Sequence, residues 1–237
     1  MQQKRKRYRY SRMTRKRRRA QIRRRIIGAG AAVLCVFGIG FGIRQLTGIG
    51  QSGPVDIQAD TTSVQWEGAP PINVELLTPN EWSRPQIALE QIQGIVIHYT
   101  ANPGSTAQQN HDYFEGLKDS QSTKASSHFI IGLDGEVIQC IPSSEWSYAS
   151  NDRNSDTLSI ECCHPDESGQ FNDATYQSMV ELTGWLCHRF GLSSEDVIRH
   201  YDVTGKDCPK YFVEHEDAWV QFRQDVQEYA DSLLHQR

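Results

Sequence analysis

The feature that most restricts this sequence is the separation of its charges. Fourteen of its 25 Lys and Arg residues fall within residues 1–25, and no Asp or Glu occurs before Asp56. The other 11 basic residues stand against all 29 acidic ones, a balance of −18 beyond residue 25. The formal net charge of −4 therefore averages two segments suited to different environments. Between them Ile26 to Ile43 is an uncharged run of 18 residues, about the minimum for crossing a hydrocarbon core of ~30 Å. The dense basic flank then sets the orientation by the positive-inside rule. This predicts a basic cytoplasmic tail over 1–25, a transmembrane signal anchor over 26–43 and a domain outside the cell membrane. A cleaved signal peptide is the competing reading, but no A-x-A-like site follows the apolar run and the basic stretch is long for an n-region. The basic run would also suit nucleic acid. Contact with anionic lipid headgroups explains it more simply, and the acidic outer part argues against a polyanion there, so no nucleic-acid partner is expected.

Residues 44–70 are rich in Gly, Ser, Thr and Gln without a sustained period, which reads as a juxtamembrane linker. Residues 71–237 then form one domain: 38% hydrophobic residues overall can bury a single sizeable core. Gly94–Tyr99 is a continuous apolar run, as expected of a strand covered on both faces. Ser105 with Gln108 resembles a capping box opening a helix, with Ala107, His111, Phe114 and Leu117 on one face. Ser127–Leu133 and Glu136–Ile141 flank Asp134-Gly135, a strong hairpin signal. Leu158–Cys162 reads as a short strand. Asn172 caps a long helix using Tyr176, Met179, Val180, Leu186 and Phe190, ended by Gly191. Val197–Tyr201 reads as a further strand, and Trp219, Phe222, Val226, Tyr229 and Leu233 recur at helical spacing near the end. The expected class is α/β, a central mixed β-sheet flanked by helices.

Two histidines end strands in this reading. His98 closes the first apolar run and His200 closes VIRHY, the positions at which α/β sheets present functional side chains. A lone histidine there is more often a satisfied structural residue. Eight residues after His200 comes Cys208, close enough for its loop to fold back. Two His and one Cys make a three-ligand zinc set with a fourth tetrahedral position open to water. An open zinc site lowers the pKa of water towards ~7 and polarises carbonyls, the two needs of amide hydrolysis. Cys35 lies in the apolar run, whereas Cys140, Cys162, Cys163, Cys187 and Cys208 lie beyond it, where disulfides are permitted. If one is a ligand, four remain for at most two bridges. The sequence pairs none of them, and all four also suit the role of small buried hydrophobes.

The segments GIVIHYTAN, ASSHFIIGLDGEVIQCIP, RNSDTLSIECC and VIRHYDVTGKDCP, in this order, resemble the type 2 N-acetylmuramoyl-L-alanine amidase family of bacterial wall amidases, phage lysins and peptidoglycan-recognition proteins. The likeness covers residues from about 90 to 225. It implies that His98, His200 and Cys208 hold Zn²⁺, that Glu161 serves as general base and that Lys206 stabilises an oxyanion. Peptidoglycan is then the partner, cut between N-acetylmuramic acid and L-alanine during bacterial cell-wall remodelling or turnover. The structural alternatives are a strand-end Glu161 and a solvated loop Lys206. Some family members carry a catalytic Tyr where this chain has Ser127, whose short hydroxyl cannot replace a phenol, so the base role falls to Glu161. His128 is expected to be structural or to lie behind the ligands, and His164, His188, His215 and His235 to be ordinary histidines. Residues 148–151 and 153–155 fall where the family lines its substrate groove, and Arg153 would suit a stem-peptide carboxylate. A non-catalytic peptidoglycan-binding protein is the alternative, weakened by the presence of Cys208, Glu161 and Lys206. A thiol hydrolase using Cys208 or Cys163 with His200 is a third reading. Oligomeric state stays open.

Overall fold

A computed structural model describes residues 68–235. The basic tail, the apolar run 26–43 and nearly all of the 44–70 linker lie outside these residues; among the described residues no helix is long and apolar enough to cross a membrane. The elements run β1 (Ile72–Val74), β2 (Ile95–Tyr99), α1 (Ala107–Ser120), β3 (Phe129–Ile131), β4 (Val137–Gln139), β5 (Leu158–Cys162), α2 (Asp173–Phe190), β6 (Val197–Arg199), α3 (His200–Thr204), α4 (Lys210–Glu214) and α5 (Glu216–Leu234). The strands form one mixed sheet in the order β1-β4-β3-β5-β2-β6. Every pairing is parallel except the β3–β4 hairpin. The α/β class with helices flanking a central sheet is what the sequence predicts.

Alternation along β2 and β5 divides the molecule into two cores. Ile95 and Ile97 of β2 and Leu158, Ile160 and Cys162 of β5 face α2 and α5, burying against Met179, Leu182, Leu186, Trp219, Phe222 and Val226. Side chains of this size stabilise by about 1.5–3 kcal/mol each when fully buried, so this layer anchors the sheet. The opposite face carries Ile130 and Ile138 under α1, which contributes Ala107, Phe114 and Leu117. Helix α1 packs on β3 and β4, whereas α3 packs on β2 and β6 and meets a 3₁₀ turn at Asn151–Arg153. The even-numbered residues of β2 and the odd-numbered ones of β5, His98 and Glu161 among them, belong to this second face.

Local signals account for most element ends. The hairpin turns at Asp134-Gly135, where Gly135 holds φ +82°, a left-handed conformation that glycine adopts without a Cβ penalty. Asn172 Oδ1 accepts from Thr175 N–H at 2.9 Å and Gly191 ends α2 at φ +66°, both as expected. The hairpin strands, Phe129–Ile131 and Val137–Gln139, are shorter than the expected 127–133 and 136–141, and two further boundaries differ with a visible cause. The capping box of α1 is Thr106 with Gln109, one residue later than Ser105 with Gln108. Ser105 instead donates to the Asn102 carbonyl and accepts from Asn110 Nδ2, and Gln108 donates to Asp112. Strand β6 stops at Arg199 rather than Tyr201, because the Asp202 carboxylate accepts from Arg199 N–H at 2.8 Å and caps α3 there. Cys140, Cys162, Cys163, Cys187 and Cys208 are all free and buried. No bridge joins them: they pack as small hydrophobes, Cys162 and Cys187 in the first core and Cys140 and Cys163 in the second.

Candidate metal centre

Parallel pairing brings three strand ends together. His98 of β2 stands in register with Glu161 of β5, and Ile97 with Arg199 of β6. The next residue after Arg199 is His200, the first of α3, which lies beside His98 with ring centroids 4.6 Å apart. Gly205 ends α3 at φ +79°, and the chain turns back so that Cys208 N–H reaches the Lys206 carbonyl at 2.8 Å and the Cys208 carbonyl accepts from Tyr201 N–H at 2.9 Å. Cys208 Sγ thereby sits 3.8 Å from His98 Nδ1, and its bond to Pro209 is cis.

One ligand atom from each of His98, His200 and Cys208 falls within 4.8 Å of the other two. A tetrahedral set with ~2.1 Å bonds to nitrogen and ~2.3 Å to sulfur separates such atoms by roughly 3.4–3.7 Å, so small side-chain adjustments close the site. The three residues are 2%, 7% and 1% exposed, too buried for ordinary hydration. His98 Nε2 is 3.2 Å from Ser150 Oγ and His200 Nε2 donates to Asn151 Oδ1 at 2.9 Å. The Nδ1 of His200 is buried without any hydrogen-bond partner, and so is Oε2 of Glu161. Buried polar atoms rarely lack partners, and a lone-pair nitrogen beside a thiol and a second imidazole is what a borderline-soft divalent cation binds. The residues present fit zinc.

Electrostatics favours neutral groups here. Burial, then the neighbouring His200 and Lys206, hold His98 well below the usual imidazole range. Burial and Lys206 lower His200 in the same direction, so both rings keep a lone pair at neutral pH. Burial and the Glu161 carboxylate push the Cys208 thiol up to about 12, against the opposing effects of Tyr99 N–H and Lys206. Burial raises Glu161 to about 8 even though Lys206 pulls it down. Its side chain keeps 18% exposure, with Oε1 3.9 Å from His98 Nδ1. A bound dication favours both the thiolate and the carboxylate. Lys206 itself is exposed on the α3–α4 loop, close enough for its charge to be felt by all four groups.

Other residues singled out from the sequence fall elsewhere. Ser127 is fully buried, its hydroxyl 3.0 Å from the Phe129 and Ser159 carbonyls, a structural position. His128 accepts at Nδ1 from Ser159 N–H at 3.0 Å and donates from Nε2 to the Glu145 carbonyl at 2.9 Å, so it braces the sheet. Cys163 packs under α1, with Asn110 Nδ2 3.5 Å from its sulfur, and burial pushes its thiol up to about 12. Arg153 Nε pairs with Asp156 at 2.7 Å within its own turn, and the side chain is about a third exposed. Ser150 and Asn151, expected among the groove-lining residues, touch the two histidines of the centre, a support the sequence did not signal. They lie 52 and 49 residues from the histidines they touch, and no local spacing signals such a pairing.

Comparison with known proteins shows the family and the fold. The sequence model for N-acetylmuramoyl-L-alanine amidase matches residues 88–211, a span that contains His98, Glu161, His200, Lys206 and Cys208. The chain is 36% identical over 168 residues to the N-acetylmuramoyl-L-alanine amidase CwlL of Bacillus licheniformis, covering 65% of this chain and 45% of that protein. It is 32% identical over 168 residues to the N-acetylmuramoyl-L-alanine amidase BlyA of Bacillus subtilis strain 168, covering 62% and 44% respectively. The chain thus spans less than half the length of these relatives. Among solved structures, PlyL superimposes with a TM-score of 0.58 at 23% identity over 66% of this chain and 96% of PlyL, a likeness of fold. The catalytic domain of XlyA gives 0.54 at 25% identity over 65% and 99%. With more than half of its length matched by that sequence model, the chain belongs to the type 2 N-acetylmuramoyl-L-alanine amidase family.

Proposed function

We propose that this chain hydrolyses the amide between N-acetylmuramic acid and L-alanine in peptidoglycan, using zinc held by His98, His200 and Cys208. The observation that carries the reading is the convergence of two neutral imidazoles and a thiol on one buried point, with Glu161 and Lys206 beside it, in a member of this family. Zinc, when bound, supplies a Lewis acid that polarises the scissile carbonyl and acidifies water. The protein's own groups do the rest. Glu161, with Oε2 unpartnered and its carboxylate form favoured by a bound dication, accepts a proton from the attacking water and returns it to the leaving amide nitrogen. Lys206 brings a fixed positive charge to the carbonyl oxygen as negative charge develops there. The buried walls around His98 and Cys208 limit bulk water, which strengthens both effects.

The charge separation at the start of the chain supports a location for this activity. Residues 1–25 lie in the cytoplasm, residues 26–43 span the cell membrane, and the domain works on wall outside, within reach of its linker. Protease protection of the basic tail in intact cells, with digestion of the domain, is the expected result.

The test of the reaction is to incubate the full chain with purified sacculi and count new L-alanine amino termini. Chelation abolishes their release, Zn²⁺ restores it, and a thiol alkylator added to the zinc-loaded protein leaves it largely intact. Release that ignores chelation sinks the metal reading. Binding to sacculi with no new termini assigns the chain to recognition instead.

A further inference from the structure

Both histidines of the centre are held from behind by consecutive residues of a single loop. Ser150 Oγ lies 3.2 Å from His98 Nε2, and Asn151 Oδ1 accepts from His200 Nε2 at 2.9 Å. An amide oxygen only accepts, so the proton of His200 resides on Nε2, and its Nδ1 keeps the lone pair that points, unpartnered, at the His98–Cys208 pair.

The loop is built to keep these two groups in place. Asn154 Oδ1 accepts from Ala149 N–H at 3.1 Å and from Ser150 N–H at 2.6 Å. The Ser150 and Asn151 carbonyls accept from Arg153 and Asn154 N–H at 3.0 and 3.1 Å, and the Arg153 carbonyl takes the Thr157 hydroxyl at 2.7 Å. Ser150 is 1% exposed. Asn151 sits at the surface with φ +52°, a left-handed conformation that asparagine tolerates and glycine adopts more easily. The backbone there does not require a carboxamide, and among the described residues that carboxamide bonds His200 alone.

We propose that Ser150 and Asn151 are positioning residues for the metal centre: Asn151 holds His200 as its Nε2–H tautomer, Ser150 anchors the Nε2 edge of His98 so that both rings turn Nδ1 inward, and Asn154 braces the loop that carries them. This rests on the reading of His98, His200 and Cys208 as ligands. Outer partners of this kind fix ring orientation and raise ligand basicity, and here both come from one segment, so disturbing the loop loosens two ligands at once.

The experiment uses the full chain in detergent, in metal-free and zinc-loaded forms. Zinc affinity is read by competition with a chromophoric chelator, and histidine tautomers by ¹⁵N long-range correlation spectra of the metal-free protein. Asn151→Gly keeps the left-handed backbone and removes the acceptor; it lowers zinc affinity by about 10–100-fold and moves the His200 nitrogen shifts towards a mixture of tautomers. Asn151→Asp keeps an acceptor in place and restores affinity to within a few-fold of the parent. Ser150→Ala, with Asn151 untouched, repeats the loss on the His98 side. Parent-like zinc affinity and unchanged imidazole shifts in both Asn151→Gly and Ser150→Ala overturn the positioning role while leaving the ligand assignment standing. Failure of the unmodified chain to bind zinc overturns the ligand assignment and this role with it.

Discussion

Arg199 sits where β6 hands over to the first candidate ligand of α3, and its removal tests how that junction is held. The residue is 8% exposed. Its guanidinium donates to Asp202 at 3.0 Å, to Glu216 at 2.6 Å and to the Phe212 carbonyl at 2.9 Å, and lies 5.2 Å from the Trp219 ring centroid. Breaking a fully buried ion pair from one side costs about 3–5 kcal/mol, but neither partner here is fully buried. Glu216 is 65% exposed and returns to water almost freely. Asp202 is 32% exposed and still accepts from Arg199 N–H, a bond that any residue preserves. What remains is an unsatisfied Phe212 carbonyl, about 1–3 kcal/mol, and the loss of the cation–π contact and stem packing, about 1 kcal/mol. Arg199→Ala should therefore cost roughly 2–4 kcal/mol, with about half recovered in Arg199→Lys, which keeps the charge and loses the fork. Urea denaturation followed by tryptophan fluorescence reads this directly, since Trp219 reports on the site. A loss below about 0.5 kcal/mol for Arg199→Ala, small enough for an ordinary surface position, would refute the reasoning.

Three further outcomes follow from the structure. His128 is fully buried and held neutral, its imidazole lowered to about 4 by burial against a weaker opposing effect of Glu145. The unfolded chain binds that proton near its ordinary value of ~6.5, so stability is full above about pH 6.5 and declines as pH falls from there towards 4, by at most about 3 kcal/mol; urea midpoints measured across that window in the parent and in His128→Gln should differ in slope. Gly135→Ala forces a side chain into the left-handed turn at φ +82°, with its Cβ 2.9 Å from the Ala174 carbonyl oxygen, and should destabilise the domain by about 2 kcal/mol or more in the same assay. Cys163→Ala removes the alternative thiol nucleophile but only a small core group; release of L-alanine amino termini should persist, whereas its abolition in a folded variant would revive the thiol mechanism.

Much of this fold is legible in the sequence because its main elements carry their own signals. The continuous apolar run of β2 and the short strand signal of β5 mark both strands without reference to anything distant, whereas the register that sets His98 beside Glu161 comes from their parallel pairing. Asp134-Gly135 and the Asn172 and Gly191 caps mark their turns by residue type alone. Strand β1 is only three residues, Ile72–Val74, too short to show a period, and it exists because it pairs in parallel with β4. The end of β6 was set by a side chain: Asp202 captures Arg199 N–H and converts an expected strand end into the start of a helix, so His200 emerges from a helix rather than a strand. The ligand trio was readable as residue types near strand ends. The loop behind it was not, because Ser150 and Asn151 meet their histidines only once the parallel sheet has formed. The cysteines show the same limit, since bridging depends on which strands adjoin, and that order sends four of them into two separate cores.

The most direct test of the central claim is zinc stoichiometry and affinity for the full chain beside His98→Ala, His200→Ala and Cys208→Ala, with hydrolysis of sacculi followed in the same samples. The account predicts one zinc per chain in the parent, a large loss of affinity in each variant and loss of amide cleavage in step with lost metal. One tightly held zinc in all three variants, or cleavage by a parent chain stripped of metal, would contradict it.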